Sequence, residues 1–134
     1  MTINPYLSFD GGTLDALEFY AEIFGSQVEA VMRVRASPMA SELPAQMGDR
    51  LMHARVRVGD NFIMASDTMG QPASTPQGIV LQIAYSDLDK AKRVFDRLAK
   101  GGEITMPFEP TFWAKGFGIC KDRFGIPWMG NCEE

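Results

Sequence analysis

The sequence predicts an α+β fold made of two tandem βαβββ modules, and three observations carry that expectation. Leu14, Leu17, Ala21 and Phe24 are spaced 3, 4 and 3 residues apart, and Leu88, Ala91, Phe95 and Leu98 repeat the pattern 74 residues later. Such spacing puts each set on one face of a helix. The register extends upstream, where strand-like Tyr6-Leu7-Ser8-Phe9 corresponds to Val80-Leu81-Gln82-Ile83. Downstream of each stripe the apolar period falls from that of a helix to two, the period of a strand.

The elements follow in order. The first strand lies around Tyr6–Phe9. Thr13 is expected to cap the first helix, with Asp15 in its first turn and Gly25 closing it. Residues 27–35 form the next strand, and 37–50, containing Pro and Met, a loop. Strands at 51–58 and 62–66 flank Gly59-Asp60-Asn61, a hairpin signal. Residues 67–77, with Gly70, Pro72 and Pro76, form the linker between modules of about 1–68 and 78–134 within a single domain. In the second module Ser86 or Asp87 caps a helix that Gly101-Gly102 stops. A short strand at 103–106 is broken by Pro107 and Pro110. Strands at 117–121 and 126–131 flank the turn Asp122-Arg123-Phe124-Gly125.

Composition excludes several classes of function. Thirteen Lys and Arg stand against 17 Asp and Glu in 134 residues, a formal charge of -4. No basic cluster offers the footprint of a nucleic-acid binder. No apolar run approaches the ~20 residues of a membrane span, and the first residues lack a signal-peptide pattern, so a cytoplasmic location without a membrane partner is expected. One His and two Cys are too few to build most zinc sites within one chain. Cys120 and Cys132 fall too far apart along adjoining strands for a disulfide, and both are expected to be reduced.

Several segments carry a family resemblance. They are Pro5-Tyr6-Leu7-Ser8-Phe9 ahead of the helix with Phe19-Tyr20, His53-Ala54-Arg55-Val56, Met64-Ala65-Ser66-Asp67, Thr111-Phe112-Trp113-Ala114-Lys115-Gly116-Phe117-Gly118, and Asp122-Arg123-Phe124-Gly125-Ile126-Pro127-Trp128-Met129. Together they span nearly the whole chain, and the last two are the most specific. The chain resembles the vicinal oxygen chelate superfamily of glyoxalase I, extradiol dioxygenases and the bleomycin and fosfomycin resistance proteins. Within it, the likeness is to the PhnB-like branch, often labelled 3-demethylubiquinone-9 3-methyltransferase-like. The resemblance implies an open curved sheet of the glyoxalase/bleomycin-resistance type, a ligand held in its concavity, and a homodimer. It also implies that metal-using members place His, Gln or Glu ligands on the first and last strands of each module. Here those strands offer only Asn4, Gln82 and Asn131 as weak donors, so no metal and no cofactor are expected.

The candidate residues follow. His53 shares a strand face with Arg55 and Arg57 by alternation. It is either a hydrogen-bonded groove histidine or a general base, being the one side chain type here whose ordinary pKa lies near neutrality. Glu109, just upstream of Thr111-Phe112-Trp113, is the best placed carboxylate; Glu18 and Glu22 belong to a solvated helix face. Tyr6, Phe9, Asp67, Phe112, Trp113 and Trp128 are the candidate ligand contacts, since pockets are mostly apolar with a few aimed polar groups. Trp113 is either a pocket or interface residue or a loop anchor.

Two functions are therefore expected to compete: metal-independent binding of a small molecule in an apolar funnel, and a metal-independent lyase or isomerase with His53 or Glu109 as base. Methyl transfer fits less well, because S-adenosylmethionine enzymes usually resemble doubly wound α/β domains.

Overall fold

The computed structural model describes residues 1–133 and divides the chain into two units, Met1–Ser74 and the segment from Thr75 onward. The first unit contains β1 (Tyr6–Phe9), α1 (Thr13–Phe24), β2 (Val28–Arg33), β3 (Leu51–Val58) and β4 (Asn61–Asp67). The second contains β5 (Leu81–Tyr85), α2 (Leu88–Ala99), β6 (Glu103–Glu109), β7 (Ala114–Lys121) and β8 (Pro127–Glu133). Their sheets have the same topology, β1-β4-β3-β2 and β5-β8-β7-β6, each with one parallel pair (β1 with β4, β5 with β8) and two antiparallel ones. The tandem βαβββ repeat is thus present strand for strand. Its offset drifts: α1 and α2 begin 75 residues apart (13 to 88), β3 and β7 only 63 (51 to 114). The difference lies in the segment between β2 and β3, which is wound into three short 3-10 turns, whereas β6 passes to β7 in four residues.

In each unit the helix covers one face of its sheet. Ala16, Leu17 and Tyr20 of α1 are completely buried, as are Ala54, Val56 and Ala65 on the facing strands. Full burial of a side chain the size of Leu17 contributes about 2 kcal/mol. In the second unit Phe95 of α2 lies against a sheet surface thinned by Gly118 and Gly130.

Three local expectations are corrected. Thr13 is not the cap of α1 but its first residue. Gly12 occupies the cap position in a left-handed conformation, and the Thr13 hydroxyl donates instead to Asp67 Oδ1 at 2.6 Å. The strand opening at Glu103 is not broken at Pro107 but runs on to Glu109. Pro107 is tolerated because β6 is an edge strand and its register with β7 shifts between Met106 and Glu109, where no N–H need be donated to the ladder. The strand after Gln27 ends at Arg33, and Val34–Ala36 form a 3-10 turn. The second helix starts as expected, with the Asp87 side chain accepting the Lys90 N–H at 3.1 Å. Among the described residues no helix is long and apolar enough to cross a membrane.

Candidate functional site

Direct pairing places residues on a common face, so the register defines what each sheet turns away from its helix. In the first unit Tyr6 pairs with Met64, Met64 with Arg55, Arg57 with Phe62, Arg55 with Glu29 and His53 with Met32. All lie opposite the α1 face, which holds Ala54, Val56, Ile63 and Ala65.

This face, turned away from α1, is a connected set of polar and aromatic groups. The Tyr6 hydroxyl lies 3.1 Å from His53 Nδ1, with the rings tilted and their centroids 5.8 Å apart. Arg55 Nε lies 2.8 Å from Glu29 Oε1. The guanidinium carbons of Arg55 and Arg57 stand 4.4 and 4.5 Å from the centre of the Phe62 ring. An arginine over an aromatic face gains both stacking and charge–quadrupole attraction. Phe62 therefore contacts two guanidinium groups, and Met32 and Met64 supply soft apolar surface on the same face.

Glu29 joins the set through a bulge. Between the pairs Glu29–Arg55 and Met32–His53, β2 carries one residue more than β3. The slack is taken up near Ala30, a non-glycine residue at φ 55°. Such a conformation costs on the order of 1 kcal/mol or more for a residue with a Cβ. The bulge lets Glu29 and Met32, three apart, face the same way.

Three candidates lie elsewhere. Phe9 pairs with Asp67 on the α1 side and is 9% exposed, so it belongs to the core. Trp128 is 1% exposed, and its indole N–H donates to Asp122 Oδ2 at 2.8 Å. Asp67 holds the N-terminal end of α1: Oδ1 accepts the Thr13 hydroxyl and N–H, and Oδ2 accepts the Leu51 N–H at 2.8 Å. The carboxylate fills the anion-favouring end of α1 with the chain's own charge, so the Asp10-Gly11-Gly12 turn offers no vacant phosphate cradle.

Glu109, Phe112 and Trp113 belong to the second unit. Glu109 pairs with Phe117, on the face away from α2. Trp113 packs edge-on to Phe117 with centroids 5.3 Å apart, and Phe112 edge-on to Trp113 at 4.6 Å. The turn carrying them is fixed by Thr111, whose hydroxyl accepts the N–H groups of Trp113 and Ala114. Phe112 is 92% exposed.

Cys120 and Cys132 are free and buried, and β7 and β8 keep them apart, Cys120 paired with Trp128 and Cys132 with Gly116. Burial, then the charge of Asp122, pushes the Cys120 thiol up to about 11. The unfolded thiol ionises near ~8.5, so above that pH the unfolded chain releases a proton that the folded chain keeps. The contribution of this thiol is therefore complete below ~8.5 and is lost as pH rises toward 11, by up to roughly 3 kcal/mol. Urea melts of wild type and Cys120→Ala at pH 8 and pH 10.5 should show the variant losing less stability across the interval. Equal losses would contradict the assignment.

A family model described as 3-demethylubiquinone-9 3-methyltransferase matches residues 1–129. The chain belongs to that family. Protein YjdN of Escherichia coli (strain K12), a curated relative, is 36% identical over 139 residues, spanning 98% of this chain and 95% of its own. Protein PA1353 from Pseudomonas aeruginosa is 40% identical with a TM-score of 0.89, over 99% of this chain and 98% of that one. The PhnB protein from Bacillus cereus, 23% identical over 98% and 99% of the two chains, shares the fold at a TM-score of 0.80. The paired βαβββ modules of this 3-demethylubiquinone-9 3-methyltransferase family member are those of the glyoxalase/bleomycin resistance/dioxygenase fold.

The family resemblance in the sequence implies that metal-using relatives place their donors on the first and last strands of each module. In this family member the corresponding positions facing away from the helices are Tyr6 and Ser8 on β1, Phe62, Met64 and Ser66 on β4, Gln82 and Ala84 on β5, and Met129, Asn131 and, by alternation, Glu133 on β8. Among the described residues no three of His, Cys, Asp and Glu are grouped to hold a metal ion. One carboxylate among amides, hydroxyls and thioethers does not fit a divalent cation, which takes several carboxylate, imidazole or thiolate ligands together.

Proposed function

We propose that the protein binds a small organic molecule on the sheet face of its first module that is turned away from α1, without a metal. One observation carries the reading. The Tyr6–His53 contact at 3.1 Å engages Nδ1 and leaves Nε2 for a ligand, while Phe62, Met32 and Met64 provide apolar surface alongside. Aimed polar groups set among apolar side chains are what small-molecule sites need.

A metal-independent isomerase or lyase would draw on the same imidazole as base. It is favoured less, because the carboxylate that the first module brings to this face, Glu29, is ion-paired with Arg55. Methyl transfer, which the family's description names, finds less support still. Each four-stranded sheet has a single parallel pair, unlike the parallel sheet of doubly wound cofactor-binding domains, and the Gly-containing turn before α1 ends on a helix terminus already satisfied by Asp67.

A fragment library screened by ligand-observed NMR tests the proposal. Hits on wild type should lose at least tenfold in affinity in His53→Ala and several-fold in Tyr6→Phe, with melting temperatures of the free proteins little changed. Hits that bind both variants as tightly as wild type would place the site elsewhere.

A further inference from the structure

From the same face, and resting on the reading above, we infer the class of ligand: an organic anion with an apolar body, its carboxylate seated on the row His53, Arg55 and Arg57. Alternation along β3 puts these three side chains on one face, with bases ~6.6 Å apart and the row spanning ~13 Å. The row is not balanced by the acidic groups around it. Glu29 Oε1 stands 2.8 Å from Arg55 Nε as an ion pair, yet among the described residues that buried Nε has no hydrogen-bond partner. Among the described residues no carboxylate pairs with Arg57, whose guanidinium carbon sits 4.5 Å from the centre of the Phe62 ring. The chain as a whole carries a formal charge of -4, so a patch with two arginines and a histidine against one glutamate runs counter to its surroundings.

The geometry favours a carboxylate over a diffuse cloud of counter-ions. A guanidinium is a planar fork that matches two oxygens at once, and here both forks are held over one ring. Much of the entropy cost of fixing two long side chains is therefore met before a ligand arrives. Around them Tyr6, half exposed, and the side chains of Met32 and Met64 offer surface for a hydrocarbon or aromatic portion. The bland alternative is that the arginines merely shield Phe62 from water. Shielding predicts no preference for an acid over its neutral isostere.

The probes are phenylacetate and hexanoate, each compared with its primary amide, titrated into the whole protein while the His53 ring and arginine side-chain NMR signals are followed. The acids should shift the His53 and Arg57 signals saturably. The amides should bind at least tenfold more weakly. Arg57→Ala should weaken the acids at least fivefold, while the backbone amide signals of β3 and β4 report an intact sheet. Acids and amides binding equally well at this face would overturn the anion inference and leave small-molecule binding standing. Acids that bind Arg57→Ala as tightly as wild type would overturn the arginine row. If neither acids nor amides perturb these signals, the inference and the reading it rests on both fall.

Discussion

Replacing Asp122 by alanine should cost about 3–5 kcal/mol of stability. Its side chain is 2% exposed and accepts three hydrogen bonds: the N–H groups of Phe124 and Ile126 at 2.8 and 3.0 Å on Oδ1, and the Trp128 indole N–H at 2.8 Å on Oδ2. Around it the backbone closes as well, Asp122 N–H donating to the Ile126 carbonyl and Gly125 N–H to that of Asp122. Alanine leaves these side-chain-bound donors without an acceptor, two of them on Ile126 and Trp128, which are 4% and 1% exposed. Unpaired buried donors cost ~1–3 kcal/mol each, and more where the lost partner was a charge. For a chain of this length such a loss lowers the melting temperature by roughly 10 °C or more. Asparagine should fall between the two, since it keeps one acceptor but turns an N–H₂ group toward one of the three donors. Thermal melts followed by far-ultraviolet circular dichroism would measure both variants. A loss below 1 kcal/mol for Asp122→Ala would mean that the turn is held by its backbone alone.

What the sequence discloses about the candidate site depends on how regular each strand is. β3 alternates without interruption, so His53, Arg55 and Arg57 were legible as one face from their spacing. Glu29 was not. In an unbroken strand Glu29 and Met32 face opposite ways, and only the bulge near Ala30 brings them together. Phe9 could have been placed from spacing alone, because an odd separation from Tyr6 puts the two on opposite faces of one strand. Trp128 and Asp67 were hidden for another reason. Each is fixed by a hydrogen bond across a turn or between elements, Trp128 to Asp122 and Asp67 to Thr13 and Leu51, and such partners leave no period in the sequence. The same holds for Pro107, whose acceptability depends on β6 being an edge strand. The repeat was visible in its helices because an apolar stripe is dictated by burial, and its drift after β2 was not, since the added residues lie in turns that pack few side chains.

The glycines of the second sheet set the other large expected effect. A Cβ on Gly118 would stand 2.9 Å from Phe108 Cα, 2.9 Å from Phe95 Cζ and 3.0 Å from the Phe108 backbone nitrogen. A Cβ on Gly130 would have Phe95 side-chain atoms as its three nearest neighbours, at 3.0, 3.4 and 3.5 Å. The difference decides the ranking. A side chain can turn away, whereas the Phe108 backbone belongs to β6 and moves only with its strand. Gly118→Ala should therefore cost about 2–4 kcal/mol and Gly130→Ala about half as much, in line with overpacked cores. Because Phe108 precedes Glu109, which pairs with Phe117, the strain in Gly118→Ala should also loosen the β6–β7 pairing. Hydrogen exchange at the β6 and β7 amides should accelerate in that variant more than in Gly130→Ala. Equal stabilities for the two variants would show that β6 yields as readily as a phenyl ring, and that the small residues of β7 are not what lets the edge strand close over the sheet.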